Sequence, residues 1–130
     1  MTSTLDTTTV PDSGAIRVIL SEVDVARICH EAIRALQTAT GDNAVPGWDD
    51  ASASHRESTI RTVRAVRQGM TCEQIHQDWC RRMRADKWTY GPEKSYESRT
   101  HPCLVGYQDL PKHEKAKDEL FRVIVLTLDR

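Results

Sequence analysis

Hydrophobic side chains recur at helical spacing in four segments of the chain, with polar or glycine-rich stretches between them. The first segment begins at Ser21, which forms a capping-box pattern with Asp24, and it ends before Gly41. Its apolar stripe consists of Val25, Ile28, Cys29, Ala32, Ile33 and Leu36. This pattern predicts a helix that has one apolar face.

Two more helices are predicted in the middle of the chain. The first covers about residues 52–67, and Gly69 suits its C-terminal cap because glycine tolerates the left-handed conformation common there. Its inward-facing side chains are Ile60, Val63 and Val66. Thr71 and Gln74 form a second capping box, which opens a third helix that ends near Asp86. The apolar stripe of this helix consists of Cys72, Ile75, Trp79 and Met83.

The segment from residue 87 to residue 109 has no helical period. It contains the turn-forming pairs Gly91-Pro92 and His101-Pro102, and it is too long for a simple linker in a compact domain. A short β-hairpin around residues 88–90 or 103–105 would fit within it. Since irregular segments often carry binding residues, we expect the function of the domain to depend on this connection.

A fourth helix completes the pattern, starting at Asp109 with Pro111 just inside its first turn. Residues 1–15 differ in composition from the rest and are predicted to be a disordered tail, which leaves residues 16–130 as a single domain. The tail lacks the basic start and apolar stretch of a secretory leader. The predicted fold class is mainly α, a compact four-helix domain with one long irregular connection.

Charge and hydropathy narrow the range of partners. The chain has 18 basic and 19 acidic side chains, so no overall charge favours nucleic acid or a membrane surface. No segment approaches the roughly 20 apolar residues that a membrane-spanning helix needs. We therefore expect a soluble, cytoplasmic protein with no nucleic-acid partner and no membrane contact.

The four cysteines indicate packing groups rather than a metal or disulfide site. They are Cys29, Cys72, Cys80 and Cys103, and none forms a close CxxC pair. Cys72, His76 and Cys80 share a helical face, but the outer two lie about 12 Å apart along the axis, too far to bind one ion together. Ligands from elsewhere in the chain could still complete a site, although ordinary packing is the favoured interpretation and no metal is predicted.

Catalytic motifs are missing from the sequence: it has no nucleophile elbow, no HExxH and no glycine-rich phosphate loop. A cysteine–histidine pair could activate a thiolate, so this alternative stays open. We predict that the chain is not an enzyme and that it needs no cofactor.

Aromatic and basic side chains alternate near the end of the third helix. Trp79, Trp88 and Tyr90 lie within twelve positions, among several arginines and lysines that end with Lys94. Aromatic faces stack on purine rings and cationic groups neutralise phosphate, so the mixture suits a nucleotide. Trp79 on an apolar stripe also fits a core position, and Trp48 is interpreted as a packing anchor.

His101 precedes a proline, which restrains it to an extended conformation and so fixes the direction of its imidazole. The ring could bind a ligand phosphate or carbonyl, or it could tie the irregular connection to the helices. Spacing alone favours neither interpretation.

A series of short motifs resembles the RyR domain, the repeat domain of ryanodine receptors. The motifs span roughly residues 23–127 and occur in the order typical of that family. They are ARICHEA (26–32), GD (41–42), PGW (46–48), RES (56–58), HQDW (76–79), KWTYGP (87–92), THPCLV (100–105), YQDLP (107–111) and AKDELF (116–121).

The resemblance implies a mostly helical fold and a ligand class. Paired RyR motifs in the receptors are associated with adenine nucleotides, which implies that Trp79 stacks on the base and Lys94 contacts phosphate. Arg61, Tyr90 and His101 are further binding candidates from their residue types and positions. Because the receptors carry tandem pairs and this chain carries one copy, the resemblance also predicts a homodimer.

Stand-alone domains of this family are typical of bacteria and their phages, which implies a protein that senses or sequesters a nucleotide signal. The expected function is therefore that of a non-catalytic ligand-binding module. The alternative is a protein–protein interaction module that has no small-molecule ligand.

Overall fold

A computed structural model of the protein describes residues 19–42 and 45–129. This part of the chain contains helices α1 (Glu22–Ala39), α2 (Ala53–Arg67), α3 (Cys72–Ala85) and α4 (Lys112–Leu128), and strands β1 (Thr89–Tyr90) and β2 (Thr100–His101). The mainly helical fold is confirmed. None of these helices combines the length and the apolar character that a bilayer crossing requires. The predicted tail, residues 1–15, lies outside the described residues.

Both predicted capping boxes are present. The Asp24 amide donates to the Ser21 hydroxyl over 3.1 Å, and the Ser21 amide donates back to the Asp24 carboxylate over 3.2 Å. Thr71 and Gln74 make the same exchange at the start of α3. These bonds satisfy amides that have no partner within a helix, so α1 and α3 begin where the sequence predicts.

The start of α4 differs from the prediction. Asp109 is the last residue of a 3₁₀ turn, Pro111 occupies the N-cap, and the helix begins at Lys112. Leu110 is extended, with φ −71° and ψ 141°. The proline that follows it disfavours a helical conformation at this position, so the turn and α4 cannot join into one helix.

The main core lies where α1 packs against α2 and α4. Val25, Val63, Val66 and Val125 are fully buried there. Trp48 is only 6% exposed and belongs to the same cluster, which confirms it as a packing anchor. This core fixes α1, α2 and α4 around the space that α3 and the long connection then close.

The long connection contains the short two-stranded sheet. β1 lies within the predicted residues 88–90, and it pairs with β2 in parallel, with Thr89 opposite Thr100. Residues 103–105 form no strand. Between the strands the chain reverses direction at Ser95, which bridges to the other side of Thr100 in antiparallel fashion. The sheet packs beside a second small core of Cys80, Trp88 and Leu104.

Candidate functional site

A cavity of about 400 Å³ lies between the four helices and the long connection. Each helix contributes side chains to its wall, and so do four residues between Lys94 and Leu110. The volume falls in the range of small-molecule sites, which is roughly 300–1,000 Å³. The wall is unusual in its chemistry, because four of the chain's five histidines line it.

Three of the five predicted binding residues meet in this cavity. Trp79 lies in its wall on α3, Lys94 reaches it from the connection, and His101 reaches it from β2. Tyr90 does not line it and is 59% exposed on β1. Arg61 is exposed on α2, beside the positions of that helix that face the cavity. A role for Tyr90 or Arg61 in binding stays a prediction.

Trp79 combines packing with a place in the cavity wall. Its ring stacks with His76 at a centroid distance of 5.7 Å, and the His101 ring meets it edge-on at 4.9 Å. The indole is partly buried and packs against the cluster that contains Trp88. Trp79 therefore fits both a core position and a ligand-binding position. One part of the indole packs in the small core, and another part faces the cavity.

The cavity also holds cationic groups. Lys94 is exposed, lies 5.0 Å above the Tyr96 ring and pairs with no carboxylate among the described residues. Arg82 is held by the Asp78 carboxylate at 3.1 Å and by the Ser58 hydroxyl. Among the described residues of the wall, Lys94 is therefore a cation without a carboxylate partner, and its ammonium can bind an anionic ligand.

Backbone groups fix the protonation pattern of three histidine rings. His30 Nε2 lies 2.7 Å from the Pro46 carbonyl, and His76 Nε2 lies 2.7 Å from the Val105 carbonyl. A carbonyl only accepts, so both rings carry a proton on Nε2. The Cys103 amide donates to His101 Nδ1 over 3.0 Å, which leaves the proton of a neutral His101 on Nε2.

The neutral form is favoured in two of the histidines, because their pKa values are lowered. Burial lowers the pKa of His101, and the nearby Lys94 ammonium lowers it further. Burial likewise lowers the pKa of His55, together with repulsion from His30 and Arg82. His101 is therefore a neutral ring whose Nε2–H can donate to a carbonyl or phosphate oxygen of a ligand.

A charged cluster forms the side of the cavity that α4 contributes. The Lys117 ammonium lies 3.0 Å from Asp42 and 3.1 Å from Glu114. Burial lowers the pKa of Lys117, but these two hydrogen bonds outweigh it and the pKa is raised. Burial, the Glu114 charge and a hydrogen bond with Glu114 raise the pKa of the Cys103 thiol to about 12. Asp118 lines the same wall.

The sequence analysis did not predict most of the polar residues in the cavity wall. Their spacing along the helices could have identified them. Glu114, Lys117 and Asp118 fall on the α4 stripe that continues with buried Phe121 and Val125. Ser58 and Thr62 precede buried Val66 on α2 at intervals of four. A polar residue on an otherwise buried stripe must either be paired inside the protein or line a cavity.

The cysteine–histidine face of α3 is a packing arrangement. Cys80 Sγ lies 3.3 Å from His76 Nε2, and the same nitrogen donates to the Val105 carbonyl. Within residues 19–42 and 45–129, no three histidine, cysteine or acidic side chains converge as a metal ion would require.

Comparison with known proteins finds one matching family for this chain. The family model described as the RyR domain matches residues 50–126, more than half of the chain. The match begins after the first three motifs found in the sequence, and it includes α2, α3, the sheet and nearly all of α4. Trp79, Lys94 and His101 all lie within it. No solved structure matches the chain.

Proposed function

Because the chain belongs to the RyR domain family, we propose that it is a non-catalytic module that binds an adenine-type nucleotide or a nucleotide-derived signal. The observation that carries this proposal is the meeting of Trp79, Lys94 and His101 in one cavity of about 400 Å³. An aromatic ring can stack on a base, and a cation and an N–H donor can bind phosphate oxygens.

The three residues have separate parts in this proposal. The exposed portion of the Trp79 indole stacks on the base, since base–aromatic stacking is tolerant of the precise ligand pose. Lys94 neutralises phosphate, because no carboxylate among the described residues competes for its ammonium. His101 donates from Nε2 to a phosphate or carbonyl oxygen, with the ring held by the Cys103 amide.

The thiol and imidazole of the wall support binding rather than catalysis. A pKa of about 12 keeps Cys103 protonated at neutral pH, so it is a poor nucleophile. The lone pair of His101 Nδ1 already accepts the Cys103 amide hydrogen, so this nitrogen is not free to remove a thiol proton. A module that senses or sequesters a ligand needs neither step.

The biological role that we propose is that of a stand-alone bacterial or phage protein of the cytoplasm, which senses or sequesters its ligand. Sequestering requires affinity and abundance, and sensing requires a change that a partner detects. Both roles use the same cavity.

A homodimer is part of the proposal, by analogy with the tandem pairs of the receptors. We expect a molar mass twice that of the chain, with or without nucleotide, when light scattering follows size-exclusion chromatography at tens of micromolar. A monomer under both conditions would contradict the dimer and would leave the cavity proposal intact, since one chain supplies all three groups.

The function can be tested with a thermal-shift panel of adenine nucleotides, cyclic dinucleotides and ADP-ribose derivatives. A ligand at a hundredfold excess over its dissociation constant should stabilise the fold by about 2.7 kcal/mol. Lys94→Ala should weaken the ligand about fivefold and reduce its salt dependence without changing stability, whereas Lys112→Ala, exposed and outside the cavity, should change neither. A flat panel would favour the protein-interaction alternative.

A further inference from the structure

Arg82 is a second cation of the cavity wall, and the binding scheme above gives it no role. It lies on α3, three residues after Trp79, and both side chains line the cavity. Residues three apart on a helix are neighbours on its surface, so the indole and the guanidinium leave α3 from adjacent positions on one face. A ligand that stacks on Trp79 therefore binds close to Arg82.

Two neighbouring side chains hold the Arg82 guanidinium in place. Its Nε donates to the Asp78 carboxylate over 3.1 Å, and its Nη1 donates to the Ser58 hydroxyl. Ser58 is buried on α2, so these bonds anchor the guanidinium to both α2 and α3. Because the side chain is already ordered, a ligand that binds it has little rotational freedom left to remove.

The anchored guanidinium keeps part of its hydrogen-bonding capacity. An arginine has five N–H donors. Asp78 and Ser58 take two of those of Arg82, and the other three, on its two terminal nitrogens, have no partner within residues 19–42 and 45–129. Terminal nitrogens of arginine bind two phosphate oxygens at once, in a geometry that the point charge of a lysine does not fix.

The charge around Asp78 is not balanced, because its carboxylate pairs with two arginines. Arg81 lies 2.6 Å from one of its oxygens and Arg82 lies 3.1 Å from the other. One negative charge faces two positive charges, which leaves a net positive charge at this part of α3. Arg81 is exposed and does not line the cavity, whereas Arg82 does. An anion in the cavity therefore meets a positive charge at Arg82, although this arginine has a carboxylate partner.

The two cations lie in different parts of the wall. Lys94 comes from the long connection, and its ammonium lies above the Tyr96 ring. Burial lowers the pKa of His101 most, and the nearby Lys94 charge adds to this effect. Burial likewise lowers the pKa of His55, where the nearby Arg82 charge is among the further causes. Because each cation lies near a different histidine, two phosphate groups of one ligand can bind the two cations separately.

We propose that Arg82 is a second phosphate-binding group, which makes the cavity select nucleotides with two or more phosphate groups over nucleoside monophosphates. Lys94 and His101 bind one phosphate, and the terminal N–H groups of Arg82 bind another. AMP fills only one of these two positions, whereas ADP fills both. This proposal rests on the nucleotide-binding function proposed above.

The test is calorimetry with AMP and with ADP at one fixed pH and salt concentration. We expect the parent protein to bind ADP about tenfold more tightly than AMP, which is the low end for hydrogen bonds to charged groups. The low end applies because the Arg82 side chain is 41% exposed. Arg82→Ala should weaken ADP about tenfold and change AMP little, so that the preference is lost. Arg82→Lys keeps the charge but not the paired donors, and it should keep only part of the preference.

Arg81→Ala is the matched control for these variants. It removes the other arginine that pairs with Asp78, on the same helix but outside the cavity, and should keep the ratio of the two affinities. Urea unfolding measures how much stability each variant loses with its bonds to Asp78 and Ser58. Such a loss acts on AMP and ADP alike, since both need the same folded cavity, so it does not change their ratio. Arg82→Lys also provides the comparison if Arg82→Ala fails to fold.

The outcomes distinguish this inference from the function on which it rests. Equal affinities of the parent protein for AMP and ADP, or a preference that persists undiminished in the folded Arg82 variants, would overturn the role of Arg82 and leave nucleotide binding standing. An equal loss of preference in Arg81→Ala would also overturn it, because the effect would then be one of general charge. If neither nucleotide binds, the nucleotide function fails and this inference fails with it.

Discussion

Replacing Trp79 with alanine is expected to weaken ADP binding by about 5- to 150-fold, since stacking of a base on an aromatic ring contributes roughly 1–3 kcal/mol. Some stability is lost as well, because the indole packs against the cluster of Cys80, Trp88 and Leu104. A fully buried tryptophan would cost about 3–5 kcal/mol on truncation, and Trp79 is only partly buried, so we expect a smaller loss. Calorimetry and urea unfolding measure the two effects separately.

Trp79→Phe is the control for this prediction. A phenyl ring keeps an aromatic face and fills much of the same volume, so most of the affinity and stability should return. The stacking role would be disproved by a folded Trp79→Ala variant that binds ADP as tightly as the parent protein. In that case Trp79 serves only to pack the small core and to support His101.

The helices could be predicted from the sequence because their signals are local. Ser21 with Asp24, and Thr71 with Gln74, satisfy free amides at fixed spacing, so α1 and α3 begin at the predicted residues. The start of α4 was predicted less well. Asp109 was predicted to cap the helix, but Pro111 disfavours a helical conformation at Leu110. The helix therefore begins after the proline.

The strand partners could not be predicted in the same way. Residues 88–90 have the composition of a strand, but the choice of Thr100–His101 as the parallel partner depends on how the intervening chain folds back at Ser95. No short-range sequence rule predicts how the chain folds back there. It matters for function, because β2 carries His101 into the cavity.

The candidate site was predicted only in part, for a related reason. Trp79, Lys94 and His101 could be chosen by residue type and by the family motifs. The wall supplied by α4 was missed because Glu114, Lys117 and Asp118 resemble an ordinary solvated surface in sequence. Only the packing of α4 against α1 and α3 turns that charged stripe inward.

Asp118→Asn is expected to stabilise the unliganded fold, and the gain should grow with pH. We expect about 1 kcal/mol at about pH 4.5 and at most about 4 kcal/mol at about pH 8. Few single substitutions stabilise a domain this much, because most of them destabilise it.

The direction follows from the raised pKa of Asp118, about 7 in the folded protein against an ordinary value of 3.8. Below pH 3.8 the carboxyl group is protonated in both folded and unfolded chains, so it imposes no cost. As the pH rises from 3.8 to about 7, the unfolded chain loses its proton while the folded chain keeps it, and the free energy of unfolding falls. Above about pH 7 both are ionised and the cost stays constant. Asparagine never ionises, so it removes this cost.

Urea unfolding of the parent protein and of Asp118→Asn at about pH 4.5 and about pH 8 measures both the size and the pH dependence of the gain. Glu119→Gln is the matched control, because it removes an adjacent exposed carboxyl group on the same helix and should change stability little at either pH. A gain of equal size at both values would indicate better packing rather than the removal of a buried charge. No gain at about pH 8 would mean that solvent reaches the ionised Asp118, and the cavity wall would then present a carboxylate to the ligand.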